Sequence, residues 1–236
     1  MCMSLNNLLT IVIPCKNESK IISKTLDLLN YQEGIENVEV IICDSSTDDT
    51  RNIIKSRIGD KFRKYVLDGG LPSVARNKGA SLAMTDYILF LDADIFLLNP
   101  KTIKVCLDEM IKNDRHLTTI KFESETTEHN LKFRFFTLFQ KVVSKFSPFA
   151  LGGFMMFQTK KFFNLGWFNE NVKVGEDYLL SRLVKPKKFK VCNILAFTTP
   201  RRYQKKSVWY MLKLVVMSYI NRNNINYFSS DHDYWK

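Results

Sequence analysis

Four times in the first hundred residues, a short apolar run gives way to polar turn residues and then to helical spacing. That rhythm restricts the chain to a sheet with helices packed on its faces. Leu8–Ile13 is an apolar run ended by Pro14, followed by Glu18–Tyr31, where Ile21, Ile22, Thr25, Leu26, Leu28 and Leu29 recur at helical spacing. Val38–Cys43 is β-branched, and Asp44 to Thr50 then supplies turn and N-cap chemistry for a helix over Thr50–Arg57. Phe62–Leu67 stops at Asp68, Gly69 and Gly70. Pro72 opens a helix through Ala83, and Tyr87–Leu91 is a fourth strand. These elements predict an α/β domain with a mostly parallel central sheet flanked by helices.

After Asp94 the rhythm changes. Pro100–Lys112, Leu131–Phe146, Glu176–Val184 and Ser207–Ile220 read as helices, and Leu117–Phe122 and Phe189–Ile194 as extended. Leu151–Phe157 reads as a loop running into a strand. The expected division is one domain over residues 1–206, its pattern changing at about residue 98. Residues 207–236 form a C-terminal amphipathic helix and tail.

Of the 236 residues, 45% are hydrophobic and 25% charged, enough apolar material for a core. The net charge of +11 is uneven. Residues 1–118 carry 15 basic and 16 acidic side chains, and residues 119–236 carry 20 and 8. Such asymmetry points to an anionic partner or surface. Cys2, Cys15, Cys43, Cys106 and Cys192 show no CxxC pair, so buried free thiols in a reducing compartment are expected. The first residues lack a basic segment followed by an apolar core, and Tyr87–Leu98 and Val208–Ile220 fall short of the ~20 residues of a spanning helix. The expected location is cytoplasmic, free or peripheral at the membrane face.

The chemistry concentrates in four places. Asp92 and Asp94 interrupt the apolar run Tyr87–Leu98, and unpaired burial of either would be costly. At the carboxyl end of a parallel strand they would face a cleft, where hard oxygens suit Mg²⁺ or Mn²⁺. Asp44 repeats that position after the second strand, either as a turn and cap residue or as an acceptor for a base or ribose. Arg76, after Asp68-Gly-Gly-Leu-Pro, offers a planar fork to an anion. Glu176 and Asp177 follow Gly175 at a helix start, where acids favour the helix dipole or, in a cleft, act as a base.

Taken in order, Ile11 to Glu18, Val40 to Thr50, Ala75 to Ala80, Phe90 to Asp94, Gly152 to Phe154 and Gly175 to Asp177 resemble the family 2 glycosyltransferases. These are the large inverting group with the GT-A fold, and the resemblance spans about residues 8–200. It implies a Rossmann-like sheet with a nucleotide-binding half to about residue 98 and an acceptor-binding half over about residues 99–206. It implies that Asp44 recognises the nucleotide base, with Pro14, Asn17 and Glu18 lining the same pocket. Arg76 and Asp92 would sit by the donor diphosphate of a UDP- or GDP-sugar, with Asp94 as the direct ligand of Mn²⁺ or Mg²⁺. Asp177 would be the catalytic base with Glu176 beside it, and Gly152, Gly153 and Phe154 would shape the acceptor side. The implied reaction is a single inverting transfer to a hydroxyl of a glycan or lipid-linked acceptor.

The Gln-X-X-Arg-Trp motif of processive members is absent, which favours transfer of one sugar. His232 is a candidate late metal ligand, and Arg201 to Lys206 is either a phosphate-facing run or a solvated connection. The basic, Phe-rich second half fits either an anionic membrane interface or a core edged by solvated lysines. A sugar-nucleotide-forming nucleotidyltransferase would need a Gly-rich loop after the first strand, and Pro14 to Glu18 has no glycine. A dehydrogenase lacks its GxGxxG there. No nucleic-acid partner is expected, because no reader motif is present.

Overall fold

The computed structural model describes residues 5–126, 130–199, 208–230 and 232. After a short 3₁₀ turn, the first half alternates β1 (Leu9–Cys15), α1 (Ile22–Asn30), β2 (Glu39–Asp44), α2 (Thr50–Ser56), β3 (Arg63–Asp68), α3 (Pro72–Ala80) and β4 (Tyr87–Leu91). The second half runs β5 (Ile95–Phe96), α4 (Thr102–Lys112), β6 (Leu117–Ser124), α5 (Asn130–Val143), β7 (Phe154–Gln158), α6 (Thr159–Asn164), α7 (Glu176–Ser181) and β8 (Phe189–Thr198). It closes with α8 (Val208–Ile220) and α9 (Ile225–Phe228).

All eight strands form one sheet in the order β3-β2-β1-β4-β7-β6-β8-β5. The expected parallel sheet holds over β3, β2, β1 and β4, and again for β6 beside β8. Strand β7 runs antiparallel between β4 and β6, and β5 antiparallel along β8, so the whole sheet is mixed. With β7 reversed, its amino end lies at the same edge as the carboxyl ends of β1, β2, β3, β4, β6 and β8.

Pro14 does not end its strand. It pairs with Cys43 inside β1, beyond the last β4 pair at Val12 and Phe90. With only β2 beside it there, a residue without an N–H is tolerated. Two-residue alternation sends side chains into both faces. Leu9, Ile11, Ile13, Leu89, Leu91, Phe154 and Met156 face the side of α1 and α4. Val12, Ile88, Phe90, Met155 and Phe157 face the other, with Ala80, Phe162 and Phe168. Phe90 meets Phe168 edge-on with centroids 4.9 Å apart, so part of the Phe-rich second half is core. The four described cysteines are buried and free.

Helix α3 lies so close to β1 that Gly79 has no room for a side chain: a Cβ there would stand 2.4 Å from Val12 Cγ1. Gly79→Ala is therefore expected to lower the unfolding free energy by about 1–3 kcal/mol through overpacking. The measurement is the urea midpoint at unchanged slope; an unmoved midpoint would show that α3 can lift off β1 at no cost.

Candidate active site

The carboxyl edge of the sheet gathers side chains from segments far apart in sequence, with Arg76 at the centre. Only 3% of Arg76 is exposed. Its Nη1 donates to Glu176 Oε1 at 2.6 Å and its Nη2 to Asp92 Oδ1 at 2.7 Å. Phe168 lies beneath the guanidinium, 5.4 Å from Cζ to the ring centroid. Burial opposes the charge, but Asp92, Glu176 and Asp177 more than compensate and raise the Arg76 pKa. Arg76 is thus buried rather than exposed, and it braces the β4 turn against the start of α7.

Gly152 and Asp177 complete the group. The Gly152 N–H donates to Asp177 Oδ2 at 2.7 Å, and the Tyr178 N–H donates to Oδ1 at 2.7 Å. A Cβ on Gly152 would come within 2.7 Å of Arg76 Nη2, so only glycine lets the chain pass here. Gly175, at φ +70°, turns the chain into α7 so that both acids enter the first turn. Gly153 and Phe154 lie one step back: the Gly153 carbonyl accepts from the Asp92 N–H at 3.1 Å, and Phe154 is fully buried at the start of β7.

Burial pushes the Asp177 carboxyl up to about 7, and the neighbouring Glu176 adds to it. Arg76 and the N–H groups of Tyr178 and Gly152 pull the other way. A carboxyl poised near neutrality can exchange a proton with a bound hydroxyl.

Asp92 and Asp94 flank the turn between β4 and β5, both partly exposed. Arg76 occupies Asp92 Oδ1, leaving Oδ2 outside that bond. Among the described residues no group of three or more His, Cys, Asp or Glu is arranged to hold a metal. Two carboxylates on one turn nonetheless fit Mg²⁺ or Mn²⁺, which commonly take one or two protein carboxylates and complete their shell with phosphate oxygens and water. His232 is not brought into such a group. Its ring stacks on Tyr227 and its Nε2 lies 2.7 Å from the Tyr227 carbonyl oxygen. The Arg201–Lys206 run lies outside the described residues.

At the neighbouring strand ends, Asp44 is buried and its oxygens are engaged: Oδ1 accepts from Ser46, and Oδ2 from Arg51 Nε at 2.9 Å. Arg51 also donates to Asp68 Oδ1 at 2.7 Å, so one guanidinium neutralises acids on β2 and β3. Asn17, at φ 56°, accepts from the Thr47 N–H at 2.8 Å, while its own N–H donates to Ser46 Oγ at 2.7 Å. The Glu18 N–H donates to Thr50 Oγ1 at 2.9 Å. The loops after β1 and β2 are thereby laced into one rim holding Pro14, Asn17, Glu18 and Asp44. Burial, with Asp44 next, pushes the Cys15 thiol well above its ordinary range, so it supplies no thiolate nucleophile.

Two contributors went unassigned in the sequence. Asn77 donates to the Phe168 carbonyl and to Glu170 Oε1, both at 2.8 Å, and accepts from the Phe168 N–H at 3.0 Å, fixing the ring beneath Arg76. Arg51 holds Asp44. Their signal was adjacency, since each directly follows a residue already singled out, Arg76 and Thr50.

The sequence matches the family model described as Glycosyl transferase family 2 over residues 10–166. It is 27% identical to the hyaluronan synthase of Pasteurella multocida, over 95% of this chain and 24% of that protein. The chain spans about a quarter of the length of the first curated relatives it matches. Glucosyl-3-phosphoglycerate synthase from Mycobacterium tuberculosis, solved with Mn²⁺, UDP-glucose and phosphoglyceric acid, superposes with a TM-score of 0.66 at 15% identity, covering 93% of this chain and 80% of that one. The mannosyltransferase PcManGT from Pyrobaculum calidifontis, with GDP-Man and Mn²⁺, gives 0.65 at 17%, covering 81% and 56%. The architecture is the GT-A fold.

Asp177 also makes stability depend on pH. Its folded pKa, about 7, lies above the ordinary 3.8, so the folded state holds a proton the unfolded chain has released between those values. Its contribution is complete below pH 3.8 and lost as pH rises through 7. Urea titrations from pH 4 to 7 are expected to show a steeper fall in unfolding free energy for the native chain than for Asp177→Asn. Equal slopes would place the Asp177 pKa near its ordinary value.

Proposed function

Because this chain belongs to glycosyl transferase family 2 and is therefore a glycosyltransferase, we propose that it transfers one sugar, with inversion, from a nucleoside diphosphate sugar to a hydroxyl of a glycan or lipid-linked acceptor. The observation that carries this reading is the meeting of Arg76, Asp92, Glu176, Asp177 and Gly152 at one sheet edge, with the Asp177 carboxyl poised near 7. The donor class is supported by the UDP-glucose and GDP-Man bound to the two solved neighbours.

In this mechanism Asp177 accepts the proton of the acceptor hydroxyl as that oxygen attacks the anomeric carbon. The Gly152 and Tyr178 N–H groups orient the carboxylate, and the glycine pair keeps that side open to an acceptor. Arg76 contributes through its field and by fixing Asp92 and Glu176, to each of which it gives one N–H. The rim of Pro14, Asn17, Glu18 and Asp44 receives the nucleoside, where Ser46 and Arg51 meet the ligand before the enclosed Asp44 carboxylate. Asp94, with Asp92, would hold Mn²⁺ or Mg²⁺ against the diphosphate, and such an ion supplies positive charge to the leaving group. On this reading the reaction proceeds at the cytoplasmic side, with the protein free or peripheral at the membrane face; among the described residues no helix is long and apolar enough to cross a membrane.

Incubation with a panel of UDP- and GDP-sugars and Mn²⁺ is expected to release nucleoside diphosphate from one donor, with the product anomer inverted by NMR. Turnover should rise with pH through about 7. Asp177→Asn should lower kcat ~10²–10⁴-fold, and Asp94→Ala should abolish stimulation by metal. Full activity in both variants would remove these residues from the chemistry.

A further inference from the structure

Helix α5 buries one side and leaves a row of large apolar residues exposed on the opposite side. At 100° per residue, Phe133, Gln140 and Ser144 fall on its inner side, and all three are buried. On the opposite side stand Phe135 and Leu138, each 62% exposed, and Val142, 51% exposed. Phe146, in the turn that follows, is 83% exposed. A continuous stripe of this kind marks an interaction surface rather than scattered surface apolarity.

The charge on one flank of the stripe is mostly basic. Arg134, Lys141 and Lys145 are exposed and fall on one flank of it by the same rotation. Arg134 is bonded to Glu123 at 2.9 Å, while Lys141 lies close to Lys121 and Lys190. Residues 129–169 contain no Asp or Glu and six Lys or Arg, and residues 178–230 contain none and eleven. A second copy seated on the stripe would set these basic flanks against each other. An anionic lipid surface satisfies both parts, with aromatics at the acyl boundary and lysines among the headgroups.

We propose that the Phe135–Leu138–Val142–Phe146 stripe of α5 and its basic flank dock the protein on an anionic lipid surface, and that the acceptor is therefore carried on a lipid. The second clause rests on the transferase reading above. The geometry links the two. Gln140 Nε2 donates to the Phe149 carbonyl at 2.7 Å and Ser144 Oγ accepts from the Phe149 N–H at 3.3 Å, three residues before the Gly152 N–H that holds Asp177. A membrane seated on the outer side of α5 is thus joined through its inner side to the acceptor glycines.

The test is flotation of the full chain with vesicles of phosphatidylcholine alone or mixed with phosphatidylglycerol. Flotation is expected only with the mixed vesicles. The Phe135→Ser, Phe146→Ser double variant should reduce the partition coefficient at least tenfold, and Lys141→Gln about fivefold, with hydrolysis of donor to water unchanged. The proposal is overturned if the native chain floats with neither vesicle, or if the double variant partitions like the native chain. It is also overturned if light scattering shows a dimer that the double variant dissolves without any vesicle binding. Flotation requires no nucleotide sugar: lost flotation with intact donor turnover removes the docking face alone, and the converse removes only the transferase reading.

Discussion

A guanidinium buried to 3% exposure is the constraint around which this molecule is arranged. Burying such a charge is costly unless opposite charge and hydrogen bonds meet it. Arg76 is met by Asp92 from the β4 turn and Glu176 from the start of α7, with Phe168 beneath. These partners come from different parts of the chain, so the pairing fixes the position of α7 relative to the parallel half of the sheet. Removing either acid would leave a buried charge partly uncompensated, and removing Arg76 would leave the acids facing one another. The same brace explains why Gly152 must be glycine, since a methyl group would displace the arginine.

The brace also divides labour between adjacent acids. Glu176 accepts the arginine directly, whereas Asp177 receives only backbone N–H groups and feels Arg76 at longer range. Burial and the charge on Glu176 then prevail, and its carboxyl rises towards neutrality. Two neighbouring carboxylates pushed apart in this way suit different tasks, one structural and one proton-accepting.

Much of this was legible in the sequence because the strands are buried on both faces and the turns carry specific residues. Tyr87–Leu91 coincides with β4, and Asp92 and Asp94 fall in the turn after it, where an apolar run interrupted by acids must emerge from the sheet. The reversed β7 was legible only as a loop running into a strand, because a run such as Phe154-Met-Met-Phe157 carries no mark of direction. Helix α1 begins at Ile22 rather than Glu18, since residues 17–19 are committed to Thr47, Ser46, Thr50 and Asp48 across the rim. The burial of Arg76 was not legible for a related reason. A polar residue in a helix of weak amphipathicity reads as exposed until its long-range partners are known, and Glu176 lies 100 positions away.

The uneven charge of the chain acquires a physical meaning from the same brace. In the second half, acids are scarce, and Glu176 and Asp177 are turned inward, Glu176 onto Arg76 and Asp177 onto the Gly152 N–H. They therefore do little to offset the lysines outside. In the first half Arg51 is neutralised locally between Asp44 and Asp68, and Arg57 between Asp27 and Asp60. Lysines such as Lys121, Lys141 and Lys190 instead approach one another, an arrangement that self-repulsion disfavours unless an anionic surface answers it. The two sides of α5 differ accordingly: the inner one packs on the core and holds the Phe149 backbone ahead of Gly152, and the outer one, apolar with a cationic edge, is the side the proposed lipid surface would cover.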